Sequence, residues 1–97
     1  MIRSVVLAKL RAGYDAGELA QIQDGLQNLK CPGTLSYTIG LDAGLREGNW
    51  DLVIVADFAD DAAYRGYDED GEHNRWRARL AKLIEQVARA QFEVPGT

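Results

Sequence analysis

The chain is poor in the residues that build disulfides, metal sites and membrane anchors. Its 97 residues include one cysteine, one histidine and two prolines, and the longest apolar run is Leu52 to Ala56. Cys31 alone excludes an internal disulfide, which fits a reducing, cytoplasmic setting. Flanked by Pro32 and with no base beside it, Cys31 reads as a turn residue rather than a nucleophile. One histidine and one distant cysteine do not make a metal site, and the acidic stretch Asp68-Glu69-Asp70 lacks the glycine and spacing of a calcium loop. No metal is expected. No cofactor is expected either, because Gly40, Gly44 and Gly48 precede a strand, whereas a phosphate-cradling loop opens onto a helix. The apolar run falls far short of a bilayer span. Positive charge is in deficit too: Lys and Arg number 11 against 15 Asp and Glu, a net charge of −4. That balance argues against a nucleic-acid partner, which needs a basic face, and against a membrane surface. Met1 to Ala8 alternates like a strand and lacks the charged-then-apolar layout of a leader, so none is expected.

What is present describes one globular domain over residues 1–97, with a core from about 2 to 94. Hydrophobic residues make up 46% of the chain and charged residues 27%, and a chain of this size can bury roughly two-thirds of its unfolded surface in one two-layer core. Ile2 to Leu10 alternates with a period of two and predicts a strand. Asp15 and Glu18 have the spacing of a capping box, followed by Leu19, Ile22, Leu26 and Leu29 along one side of a helix from about Ala16 to Leu29. Gly25 should weaken that helix by ~1 kcal/mol relative to alanine. A second strand is expected over Thr34–Leu41, with Leu35, Tyr37, Ile39 and Leu41 on one face, then a charged loop over Asp42–Asn49. The third strand, Trp50–Phe58, is apolar on both faces through its centre, which implies cover on both sides. Asp60 or Asp61 caps a short helical segment with Ala63, Tyr64 and Tyr67, and Asp68 to Gly71 breaks it. The periodicity of His73, Trp76, Leu80, Leu83, Ile84 and Val87 predicts a long helix to about Arg89, with a last short strand over Ala90–Val94 and a frayed Pro95-Gly96-Thr97. Arg75, Arg77 and Arg79 read as a solvated surface.

The order β-α-β-β-α-β folds as two split β-α-β units into an α+β domain: a four-stranded antiparallel sheet with its helices on one face. The opposite face then stays bare although the central strands are apolar on both sides. A symmetric partner covers such a face, so two sheets are expected to pack as a barrel-like homodimer.

His73 is the one candidate for chemistry. With Asp70 as N-cap it occupies the third helical position, where first-turn amides and burial both favour a neutral imidazole, against the nearby acidic side chains. A neutral imidazole can remove a proton next to a carbonyl, and Tyr67 can donate to the oxyanion that develops. The break between them lets two groups six residues apart converge. The alternative is a core histidine bonded to backbone, with Tyr64 and Tyr67 as a helix-packing pair.

Met1 to Leu10, Gly48-Asn-Trp-Asp-Leu-Val-Ile-Val-Ala-Asp-Phe58 and the Tyr67-to-His73 approach to the last helix together resemble the stress-responsive dimeric α/β-barrel (Dabb) family, as far as about Val94. The resemblance implies a ferredoxin-like protomer, a two-fold dimer, and a pocket between sheet and helices. Members that cyclise linear polyketides use a tyrosine and a histidine spaced like Tyr67 and His73. The pocket walls so implied are Ser4, Leu52, Tyr64 and Trp76, although the family often has histidine where Ser4 stands and His-Pro where this chain has Asp70-Gly71. Two functions stay open: cyclase-like acid/base chemistry on a carbonyl or polyketide-like ligand, and a non-catalytic stress-related or ligand-carrying homodimer. Cofactor-free oxidation of aromatic compounds is a third possibility that no residue selects.

Overall fold

The computed structural model describes residues 1–95. It runs β1 (Ile2–Leu10), α1 (Ala16–Gln27), β2 (Thr34–Leu41), β3 (Leu52–Phe58), α2 (Asp61–Glu69), α3 (Gly71–Ala81) and β4 (Ile84–Glu93). The strands form one antiparallel sheet in the order β2-β3-β1-β4, the ferredoxin-like arrangement expected for this element order.

Each helix begins on an aspartate. Asp15 accepts from the Glu18 amide at 3.0 Å, Asp60 from Ala63 at 2.9 Å and Asp70 from His73 at 2.9 Å, each satisfying one orphaned first-turn donor. The capping box at α1 is only half made. Glu18 reaches across to Arg79 on α3, with Arg79 Nε donating at 3.1 Å, and so ties the two helices together.

Alternation decides the layers. On β3, Leu52, Ile54, Ala56 and Phe58 are buried under the helices, while Val53 and Val55 face the other way. Leu19, Ile22 and Leu26 of α1 and Leu80 of α3 close over Ala8, Leu10, Leu52 and Ile54. A second, aromatic cluster of Ala56, Phe58 and Tyr67 lies toward α2. On β2 the expected face holds for Tyr37 and Ile39, which align with Ala56 and Ile54. Leu35 is 60% exposed because a register shift between Thr34 and Ser36 leaves it outside the ladder.

The C-terminal third departs from the sequence expectation. The last helix stops at Ala81, not Arg89, and the last strand starts at Ile84, not Ala90. Leu83, Ile84 and Val87 fit helical spacing, yet β1 presents nine residues of unpaired backbone along that edge. Pairing Ile2–Leu10 with Ile84–Glu93 satisfies those groups along the whole of β1, which a strand confined to Ala90–Val94 would leave half exposed. The helix-to-strand turn is pinned by the Arg11 amide donating to the Leu83 carbonyl at 2.8 Å. The break between α2 and α3 is likewise narrower than expected, a single extended residue, Asp70, with φ −61° and ψ 130°. Of the terminal residues expected to fray, Gly96 and Thr97 lie outside the described residues.

Candidate functional site

α1 packs on β2, α2 on β2 and β3, and α3 against α1 and α2, while β4 carries the sheet to its far edge. A cavity of about 620 Å³ opens between α2 and α3 on one side and the inner faces of β1 and β4 on the other. Val6, Leu26 and Ile54 give it an apolar floor, and Tyr67 and His73 both line it.

The two residues are in direct contact. Their ring centroids are 3.9 Å apart with 31° between the planes, a tilted contact that spacing within one helix would forbid. His73 is 5% exposed, and its Nδ1 is buried with no hydrogen-bond partner among the described residues. Burial is the main force holding the imidazole below its usual pKa, with the Arg77 guanidinium next; Asp68, the backbone of Tyr67 and Asp70 oppose them. The ring is therefore neutral at pH 7, and in either tautomer one of its two nitrogens is a proton acceptor.

Tyr67 is 9% exposed and packs against Phe58, with ring centroids 5.0 Å apart. Its hydroxyl lies 2.9 Å from that of Tyr37 on β2. Burial pushes both phenols above their ordinary range, Tyr67 further, since proximity to Tyr37 adds to the effect. Both stay protonated at neutral pH. Two hydroxyls in one hydrogen bond use one proton between them, so the pair keeps a second O–H free to donate.

The remaining expected wall residues divide. Ser4 and Tyr64 line the cavity, and the Ser4 hydroxyl accepts from Gln91 on β4 at 3.2 Å. Leu52 does not line it; it is 2% exposed inside the α1-side core. Trp76 does not line it either, because it lies on the α1 side of α3, against Gly25 and beneath the Arg79 guanidinium at 4.7 Å. Among the lining residues that the sequence does not single out, three bear on the chemistry: Tyr37, Arg77 and Arg89. Tyr37 carried a signal, as the one polar-tipped side chain on the inward face of β2. Arg77, a surface residue by sequence, lines the cavity and bonds to the Asp68 carboxylate at 2.8 Å. Arg89 falls on a helix by spacing alone, and only its place in β4 turns it toward the cavity, beside Val6. No group of three or more metal-ligating side chains occurs among the described residues, and no described helix is long and apolar enough to cross a membrane.

The sequence matches the family model of the stress responsive A/B barrel domain (Dabb) over residues 2–94. The chain belongs to the Dabb family. Solved structures agree on the fold. A dimeric ferredoxin-like protein of unknown function from Thermobifida fusca is 25% identical, with a TM-score of 0.85 over 96% of this chain and 90% of that one. A hydroxynitrile lyase from Passiflora edulis superimposes with a TM-score of 0.84 at 15% identity, over 99% of this chain and 94% of that one. A Dabb-family protein with a ferredoxin-like fold from Mesorhizobium loti is 19% identical, with a TM-score of 0.75 over 98% and 97%. No functionally curated protein matches the sequence. In this Dabb domain the ring pair sits at the junction of α2 and α3, and the cavity opens along β4.

Proposed function

We propose that this Dabb protein is a homodimer of single-domain protomers, each binding a small carbonyl-containing, aromatic or polyketide-like molecule in the cavity and carrying out acid/base chemistry on it. The observation that carries the reading is a neutral, buried imidazole with an unpartnered Nδ1, in ring contact with a tyrosine in the wall of a roughly 620 Å³ cavity. His73 takes a proton from carbon next to the ligand carbonyl. The electron pair moves to the carbonyl oxygen, and the free O–H of the Tyr37–Tyr67 pair donates to the enolate so formed. Return of that proton by the imidazolium to another atom completes an isomerisation; attack of the enolate on a second carbonyl of the same chain, with the imidazolium protonating the alkoxide so formed, completes a cyclisation. The dimeric description of the Thermobifida fusca protein supports pairing of the bare sheet faces here. The single free cysteine, Cys31, fits a reducing, cytoplasmic location.

The experiment is a turnover screen with linear and aromatic β-carbonyl compounds on the wild type, His73→Asn and Tyr67→Phe. We expect a 10²- to 10⁴-fold loss in His73→Asn and a smaller loss in Tyr67→Phe, where Tyr37 still supplies an O–H. Undiminished turnover in His73→Asn would overturn the assignment. Saturable binding with no turnover by the wild type would leave a ligand carrier, not an enzyme.

A further inference from the structure

We propose that the cavity's ligand is an anion, an apolar or aromatic body bearing a carboxylate, and that Arg89 of β4 with Arg77 of α3 forms the subsite for that carboxylate. The proposal rests on the cavity reading above and names the ligand class of the same site. Arg77 and Arg89 both line the cavity although they arrive from different elements. Tyr64 lines the same cavity, and both positive charges favour its ionised form against the effect of burial.

The two arginines are not equivalent. Arg77 is already engaged, bonding to the Asp68 carboxylate at 2.8 Å and the Asp68 carbonyl at 3.0 Å, and to Asn74 Oδ1. The Arg89 guanidinium makes no hydrogen bond or ion pair with any other described residue. The acidic side chains facing the cavity do not cancel it. Asp68 is matched by Arg77, and Glu85, four residues along the same strand with roughly 13 Å between the backbone positions, forms no ion pair with Arg89. One unmatched positive charge therefore stands at the mouth of a cavity whose floor is Val6, Leu26 and Ile54. A planar guanidinium fork takes both oxygens of a carboxylate at once, and its single charge matches a monoanion better than a phosphate dianion.

The test is calorimetric titration of the whole protein with 2-naphthoate and its neutral isostere 2-naphthamide. We expect the wild type to bind naphthoate about tenfold more tightly at low salt, with the preference shrinking as sodium chloride is added. Arg89→Gln should bring the two probes to near parity by weakening naphthoate alone. Arg75→Gln, whose side chain is 77% exposed and outside the cavity, should change neither. Equal affinity of the two probes for the wild type, or a preference that survives Arg89→Gln, would overturn the anion subsite while leaving the cavity reading intact. Failure of both probes to bind would overturn the two together.

Discussion

Replacing Gly25 with alanine sets two effects of opposite sign against each other, and the structure decides between them. Helix propensity favours the change: alanine inside α1 should add about 1 kcal/mol. The neighbour opposes it. A β-carbon at Gly25 would come within 2.1 Å of Trp76 Cε2, 2.3 Å of Cζ2 and 2.5 Å of Cδ2, the atoms of a rigid ring rather than the end of a flexible chain. Moving the indole disturbs the Arg79 guanidinium that lies over it, which is itself held by Glu18 and by Gln21 at 3.0 Å. Overpacking costs about 1–3 kcal/mol, and interpenetration of this depth belongs near the upper end, so the net expectation is a loss of about 1–2 kcal/mol. For a domain of this size that lowers Tm by roughly 4–16 °C. Urea denaturation of Gly25→Ala, Trp76→Ala and the double variant measures the two contributions separately. In the Trp76→Ala background the ring is gone, and Gly25→Ala should then stabilise by about 1 kcal/mol. If Gly25→Ala stabilised the protein with Trp76 in place, the close approach of α1 and α3 would be refuted, and with it the account of how α3 is held over the cavity.

Two further outcomes follow from the same geometry. His73 is held below its ordinary pKa when folded, so the unfolded chain binds the extra proton first as pH falls; stability is full above about pH 6.5 and falls below it by up to ~1.4 kcal/mol per pH unit, toward the lower folded pKa. Urea titrations from pH 8 to 5 should show that slope in the wild type and lose it in His73→Gln; an unchanged slope in the variant would show that some other group titrates. On the bare sheet face, Leu7 and Phe92 are 42% and 46% exposed beside Val5, Val53 and Val55. Light scattering at micromolar concentration should give a dimer for the wild type and a monomer for Val55→Asp, and a monomeric wild type would refute the face-to-face pairing.

Local signals account for most of what the sequence made legible. The capping aspartates, the period-two strands and the apolar stripe of α1 each fix an element through neighbours a few residues away. The boundary between α3 and β4 was hidden because Leu80, Leu83, Ile84 and Val87 satisfy helical spacing, while the deciding interaction is pairing with β1, some eighty residues distant in sequence. Trp76 and Leu52 were expected in the pocket wall because apolar residues on an inward face look alike from sequence. Which of them meets a cavity and which meets another helix depends on how α1 docks, and Gly25 sets that approach. Arg89 went unread for the same reason as β4: assigned to a helix, its side chain had no defined neighbour.

The placement of the Tyr67–His73 pair shows how little chain is needed to make a site once the layers are set. On an unbroken helix, residues six apart lie roughly 120° around and ~9 Å along the axis, too far for their rings to touch. Asp70 alone changes this. Its extended ψ of 130° ends α2 and redirects the chain, and its carboxylate caps the His73 amide to start α3 at once. Tyr67 thus closes one helix, His73 opens the next, and their rings meet at 3.9 Å. The pair is anchored from both sides, since α3 is held against α1 by Trp76 and Arg79 while α2 is held against β3 by Phe58. The imidazole is buried because two independently packed helices meet over it. Its depressed basicity is therefore a consequence of the fold's layer packing, and the acidic run around Asp70, which by charge alone would raise it, is outweighed by burial.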